Sequence, residues 1–296
     1  MGSFGDSWRL TKTAFRMIRE DKALLAIPAV AAGAYILILA LFAMGFIGIL
    51  LFSPLSGTPL DLVLAVMGIV AYFLLWFVAT YFTAALVGAA TIKLNGGNPN
   101  VSDGLAVARA NIGKIFVWSL FAGTVGLAIQ MIAARFRGLP GLIIAAVAEG
   151  TWSVATYFIV PVLLYENMGV WGSLKTSAST YVHNFGRTFI SNIVLGILVG
   201  LPIVGAIILG LIGFFELVGG AVLLGAVLVI AALTIGIVAI LLAMAAEGIL
   251  TAALYRYAKT GKLEGDLIHP TVVRTGSVPT APRPLSQPLP SSARGG

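Results

Sequence analysis

Two carboxylates stand inside long apolar runs. Glu149 lies in AAVAEGTWSVATY and Glu247 in AMAAEGILTAALYRYA; each is followed by glycine and, eight residues on, by a tyrosine, Tyr157 or Tyr255. An acidic side chain at mid-membrane costs ~2.5–3.5 kcal/mol on insertion scales, so each must face protein or water and find a partner. Desolvation disfavours the charged form of such a carboxyl, which then takes up a proton. Two roles follow. In the first, which the sequence favours, each Glu bonds a hydroxyl, amide or carbonyl of a neighbouring helix, at ~0.6 kcal/mol per bond. Thr80, Tyr81, Thr83, Gln130, Ser153, Thr234 and Thr251 are the available partners. In the second, the two carboxyls converge in a cavity and carry a proton or bind a cationic solute, as intramembrane acids of transporters do. Glu149, Glu247, Tyr157, Tyr255 and Gln130 make up the candidate intramembrane polar site.

Other reactive chemistry is sparse. The chain has no cysteine and two histidines, His183 and His269, both outside the apolar runs. No zinc-type His-Glu pattern, Ser/His/Asp set, phosphate-binding loop or dinucleotide fingerprint occurs. No enzymatic activity, metal or cofactor is therefore expected.

The elements that hold these acids are set by composition. Of 296 residues, 59% are hydrophobic and only 10% charged, with a mean hydropathy of +1.03. Soluble domains carry roughly 25% charged residues. Several apolar runs exceed the ~20 residues that cross a hydrocarbon core as a helix. The expected fold is an all-α, polytopic transmembrane bundle over 1–262, with spans at about 24–52, 62–92, 113–134, 140–165, 188–214 and 224–258. The stretch 217–258 would be roughly 63 Å of helix, too long for one span; a break at Gly219-Gly220 and one long helix beyond it resolve this. Glycine is abundant, and Gly196-Ile-Leu-Val-Gly200 is one instance of the GxxxG spacing that brings membrane helices close.

Lysine and arginine orient the bundle. With both termini cytoplasmic, only Arg135 and Arg137 of the 18 basic residues fall outside, which is the asymmetry of a multi-pass protein of the cell membrane. The formal charge of +7 then marks cytoplasmic loops and not nucleic-acid binding. Arg135 and Arg137 could pair outside with Asp61 or Glu216. The first 22 residues are polar and amphipathic, unlike a cleavable signal peptide. Residues 263–296 contain six prolines and little that is apolar, the composition of a disordered cytoplasmic tail.

Short matches recur along the chain. Asn111-Ile-Gly-Lys114 and Asn184-Phe-Gly-Arg187 each close an amphipathic stretch and open an apolar run; Arg19-Glu-Asp-Lys22 holds the equivalent place before the first run. Thr83-Ala-Ala-Leu86 matches Thr251-Ala-Ala-Leu254, with Ala79 where the glutamates would stand. Three modules result, each an interfacial elbow, an outward helix and a longer return helix. On a helical wheel the first elbow places Phe4, Trp8, Thr11, Phe15 and Ile18 on one face, beside Arg9, Lys12, Arg16 and Arg19. That arrangement suits a helix lying in the headgroup layer with basic stems snorkelling to lipid. Trp8, Arg9, Lys12, Arg16 and Arg19 are the candidate contacts to anionic headgroups of the inner leaflet. In the third elbow Leu174, Ala178, Tyr181, Val182 and Phe185 face one way, and Lys175 and His183 another.

Several stretches resemble a family of bacterial and archaeal integral membrane proteins of unknown function. They are Ser7-Trp8-Arg-Leu with Arg19-Glu-Asp-Lys-Ala-Leu-Leu and Pro28, Tyr81-Phe-Thr-Ala-Ala-Leu-Val-Gly-Ala-Ala90, Gly96-Gly-Asn-Pro99 before Ser102-Asp-Gly-Leu105, Tyr157-Phe-Ile-Val-Pro-Val162 before Glu166, and Ala252-Ala-Leu-Tyr-Arg-Tyr-Ala258. The resemblance covers most of 7–262 and implies a multi-spanning fold without a known activity. The sequence thus supports a non-enzymatic membrane scaffold or accessory subunit. A small-solute or ion transporter using Glu149 and Glu247 is the alternative, and a membrane-protein partner or a second copy of the chain stays open.

Overall fold

Long apolar runs can satisfy their own backbone in lipid only as helices or closed barrels. The computed structural model describes residues 4–136 and 138–261, without the side chains of Phe4, Asp6, Ser7, Arg9 and Arg187. The Pro-rich segment 263–296, Arg137 and the side chain of Arg9, all named above, lie outside the described residues. Among the described residues ten helices follow one another: α1 (Phe4–Glu20), α2 (Ala23–Phe52), α3 (Thr58–Leu94), α4 (Val101–Ala110), α5 (Ile112–Ala134), α6 (Leu139–Thr156), α7 (Ile159–Tyr165), α8 (Val170–His183), α9 (Phe185–Val218) and α10 (Val222–Thr260). Among the described residues there are no strands. Six spans, with α6 and α7 counted together, are long and apolar enough to cross a membrane. The fold is the all-α polytopic bundle that the sequence implies.

The order short helix, long helix, long helix occurs three times. The junctions show why. Asn111 ends α4 and Asn184 ends α8 with nearly the same backbone, φ −113°, ψ 16° and φ −111°, ψ 16°. Each Asn donates its side-chain amide to the carbonyl four residues back, Val107 at 3.1 Å and Thr180 at 2.9 Å. The amide thus holds the last turn while the backbone leaves the helical region, and a new helix starts on another axis. At the first junction Asp21 Oδ1 instead accepts from Ala23 N at 3.0 Å.

The far turn before α10 is made by Gly220, at φ +95°, with Ala221 N bonded to Glu216 O at 2.9 Å. This 6→1 bond with a left-handed residue is a Schellman cap. Beyond it α10 runs unbroken for 39 residues, and one helix long and apolar enough to cross a membrane occupies Val222–Thr260.

Packing is uneven along the bundle. At the end where the short helices gather, α3 buries Ala84, Ala85, Leu86, Val87, Gly88, Ala89 and Ala90 on every side. Small residues let α2, α4, α7 and α10 approach this stretch closely. Gly104 of α4 has room for no Cβ: one would lie 2.6 Å from Ala85 O. Gly248 of α10 is pressed against the Leu86 side chain in the same way. Toward the other end α2, α3 and α6 expose their large apolar side chains, such as Leu51, Leu62 and Leu142. Gly196 and Gly200 have nothing within 4 Å of where a Cβ would stand, so among the described residues that GxxxG spacing joins no helices.

The first elbow departs from the wheel reading. Thr11 is fully buried, with Leu10, Ala14, Met17 and Ile18, against α9 and α10, and Phe15 lines an apolar pocket with Pro202 and Val238. The face assigned to lipid therefore packs on protein, because the middle of α9 and α10, around Pro202 and Val238, offers it an apolar wall. Trp8, at 46% exposure, and Lys12, Arg16 and Arg19 form the exposed face. In α8 the buried side is Ser173, Ser177 and Tyr181, while Val182 and Phe185, grouped with Tyr181 on the wheel, are exposed.

Candidate intramembrane cavity

A cavity of about 440 Å³ opens within the bundle between α2, α3, α5, α6, α7 and α10. Helical rise places its walls roughly 6–27 Å from the elbow ends of those helices, so the cavity lies along most of a ~30 Å core. Its walls are aromatic: Trp76 and Phe82 from α3, Trp118 from α5, and Trp152 and Tyr157 at the α6–α7 break. Trp118 and Trp152 stack at 5.9 Å with planes 10° apart, and Trp118 is wedged beside Ile159 and Leu163. Hydroxyls of Thr80, Thr83, Ser153, Thr156 and Thr251 complete the surface, with one carboxylate, Glu247.

The expected 140–165 helix is interrupted at this wall. Pro161 has no N–H and its ring would clash with the carbonyl of Tyr157 in a continuous helix. The chain breaks between Thr156 and Ile159, and Phe158 N donates to Ser177 Oγ of α8 at 3.0 Å. A buried N–H is thereby satisfied. The break aims Tyr157 into the bundle, where its hydroxyl reaches Asn192 Oδ1 at 3.4 Å and lies beside Thr251.

The five residues of the candidate polar site fall in three places. Glu247 and Tyr157 line the cavity. Glu149 does not: Gln130 Nε2 donates to its Oε1 at 2.7 Å, joining α5 to α6 outside the cavity wall. The two carboxyls therefore share no cavity, because Glu149 stands one turn before Ser153 and turns to α5 instead. Tyr255 belongs to neither place. It donates to Glu166 Oε1 at 2.7 Å, at the elbow end, where Lys259 also pairs with Glu166.

Glu247 has no such donor among the described residues. Its surface is accessible, yet Ala245, Ala246, Gly248 and Ile249 around it are buried, and no described residue bonds its carboxyl. Four of the seven partners expected for it are engaged elsewhere: Thr80 with Trp76 O, Tyr81 with Leu105 O, Gln130 with Glu149, and Thr234 with Ile230 O; Thr83, Ser153 and Thr251 line the same cavity without bonding it. Back-bonding by threonine to its own helix is the competing interaction.

The elbow end of the cavity is sealed. Leu24, Val87, Phe158, Val162 and Leu254 are packed there with almost no accessible surface. Polar links close the rim: Lys93 to Asp21 at 3.5 Å, Lys114 Nζ to Leu163 O at 3.2 Å, Arg256 to Leu94 O, and Glu166 with Tyr255 and Lys259. The Glu166 grouping was missed in the sequence because its members are 89 and 93 residues apart; the only cue was a lone acid at the end of a span. Arg135 makes no ion pair with Asp61 or Glu216 among the described residues.

Residues 60–265 match the model of a family described as a family of unknown function, DUF6159. The chain belongs to this family. No curated protein and no solved structure matches it. The matched segment contains α3 to α10 and hence most walls of the cavity, including Glu247. Within DUF6159, then, this chain has a helical bundle of membrane-spanning character, and its activity must be argued from the cavity.

Proposed function

We propose that this DUF6159 protein carries a small solute through the membrane, with the Glu247 cavity as its binding site. One observation carries the reading: an accessible carboxyl without a partner, on a cavity inside the apolar bundle. A purely structural acid gains its place by a hydrogen bond; one without a bond costs several kcal/mol in lipid and is kept for what it binds. The packing that closes the elbow end supports a site that is not reached from there, as alternating access requires of one state. Three elbow-plus-hairpin modules, related by an axis along the membrane normal, supply the elements that would rock. The orientation follows the basic residues, with the elbows and both termini cytoplasmic and the bundle in the cell membrane. No chemistry is performed on the solute.

The exposed faces of the elbows support a second reading, a scaffold or accessory subunit. Trp8 with Lys12 and Trp171 with Lys175 repeat one spacing on exposed helix faces, suited to anionic headgroups or to a membrane partner. Flux into proteoliposomes separates the two. Solute or proton flux that disappears in Glu247→Gln supports transport; flux equal to that of empty vesicles for the unaltered protein refutes it.

A further inference from the structure

We propose that the cavity takes a monovalent organic cation with an apolar, ring-bearing body. This inference rests on the solute-carrying reading and names its ligand class.

Charge narrows the choice first. Glu247 is the sole acid in the lining, and no lysine, arginine or histidine joins it. An anion would meet a carboxylate with no compensating donor. A neutral solute could sit only beside the protonated carboxyl, whereas the ionised carboxylate is left unpaired by it, at a cost. A cation is the class whose arrival removes the cost.

The walls narrow it further. Hard divalent ions take six or more oxygens, several of them carboxylate or carbonyl. Here one carboxylate shares the cavity with Trp76, Trp118 and Trp152 and with the hydroxyls of Thr83 and Ser153. Among the described residues those two hydroxyls donate to no protein acceptor. Indole faces attract diffuse positive charge, by ~0.5–2 kcal/mol each. An organic cation is also less strongly hydrated than an inorganic one, so it loses less on entering an apolar site. Trp118 is buried and stacked on Trp152, which fixes that ring, so Trp76 and Trp152, both partly exposed, are the indoles that offer a face. Finally, about 440 Å³ lies within the ~300–1,000 Å³ range of small-molecule sites. Carboxylate, rings and volume together suit a compact amine or quaternary cation with one or more rings.

The test uses the full chain in lipid nanodiscs and labelled tetraphenylphosphonium, with empty nanodiscs subtracted. Tetraphenylborate, of the same shape and opposite charge, is the control. Saturable binding of the cation alone is expected. It should weaken at least about tenfold in Glu247→Gln, remain in Glu247→Asp, and weaken several-fold in Trp76→Leu. Retention in the aspartate variant separates loss of charge from loss of fold. Binding of both ions, or cation binding untouched by Glu247→Gln, overturns the proposal. Absence of cation binding while flux of another solute still depends on Glu247 overturns the ligand class and leaves the transport reading standing. Glu247-dependent cation binding without any flux does the reverse.

Discussion

Removing the Glu166 carboxylate should loosen the seal at the elbow end, and the structure sets the size of the effect. Glu166 accepts from the Tyr255 hydroxyl at 2.7 Å and pairs with Lys259, whose side chain is 47% exposed. A hydrogen bond to a charged group contributes ~1.5–3 kcal/mol, whereas a solvent-exposed ion pair contributes ~0–1 kcal/mol. Glu166→Ala should therefore lose about 2 kcal/mol and Lys259→Gln less than about 1 kcal/mol. Glu166→Gln, which keeps an acceptor for Tyr255, should fall between them. The pH dependence follows from the same contacts. Burial pushes the Glu166 carboxyl up, but Lys259 and the Tyr255 hydroxyl pull it down by more, leaving it below the usual carboxylate value. A depressed folded value means the stabilisation is complete above the unfolded pKa of ~4.3 and is lost as pH falls through the folded value. The gap between wild type and Glu166→Gln should be constant from about pH 5 to 8 and close below about pH 4. Reversible unfolding in mixed micelles across that range measures it. A gap unchanged at pH 3, or Lys259→Gln as damaging as Glu166→Ala, would refute the reasoning.

Two further substitutions probe the scaffold of the cavity. Gly248→Ala drives a methyl group into the Leu86 side chain, an overpacking cost of ~1–3 kcal/mol; Leu86→Ala in the same chain should recover part of it, and additive losses would contradict the contact. Ser177→Ala removes the acceptor of Phe158 N, leaving a buried N–H unpaired at ~1–3 kcal/mol. Faster amide exchange at Phe158 is the matching readout, and unchanged protection would show that the break is held otherwise.

The spans were legible because they depend on length and apolar content alone. Hence α2, α5 and α10 begin and end within a few residues of the expected bounds. The asparagine junctions were legible too, since Asn-x-Gly-Lys/Arg recurs with the same spacing. What the sequence hid was direction. Glu149 and Glu247 share a local pattern, yet one turns to Gln130 and the other into a cavity, and only the packing of α5 and α10 decides which. Thr11 read as a headgroup-facing residue because a helical wheel cannot show that α1 packs against α9 and α10. The interruption before Pro161 was masked by the continuous apolar run on both sides of it.

The central claim is that Glu247 faces an aqueous cavity and not acyl chains. The chain has no native cysteine, so single cysteines report cleanly. Glu247→Cys, Leu250→Cys and Leu233→Cys compare the cavity, the packed core at 1% exposure and the outer surface of α10 at 61%, using a charged, water-soluble thiol reagent on protein in bilayers. The account predicts rapid modification at position 247 and none at 250 or 233. Equal reactivity at 247 and 233, or no reaction at 247, would contradict it.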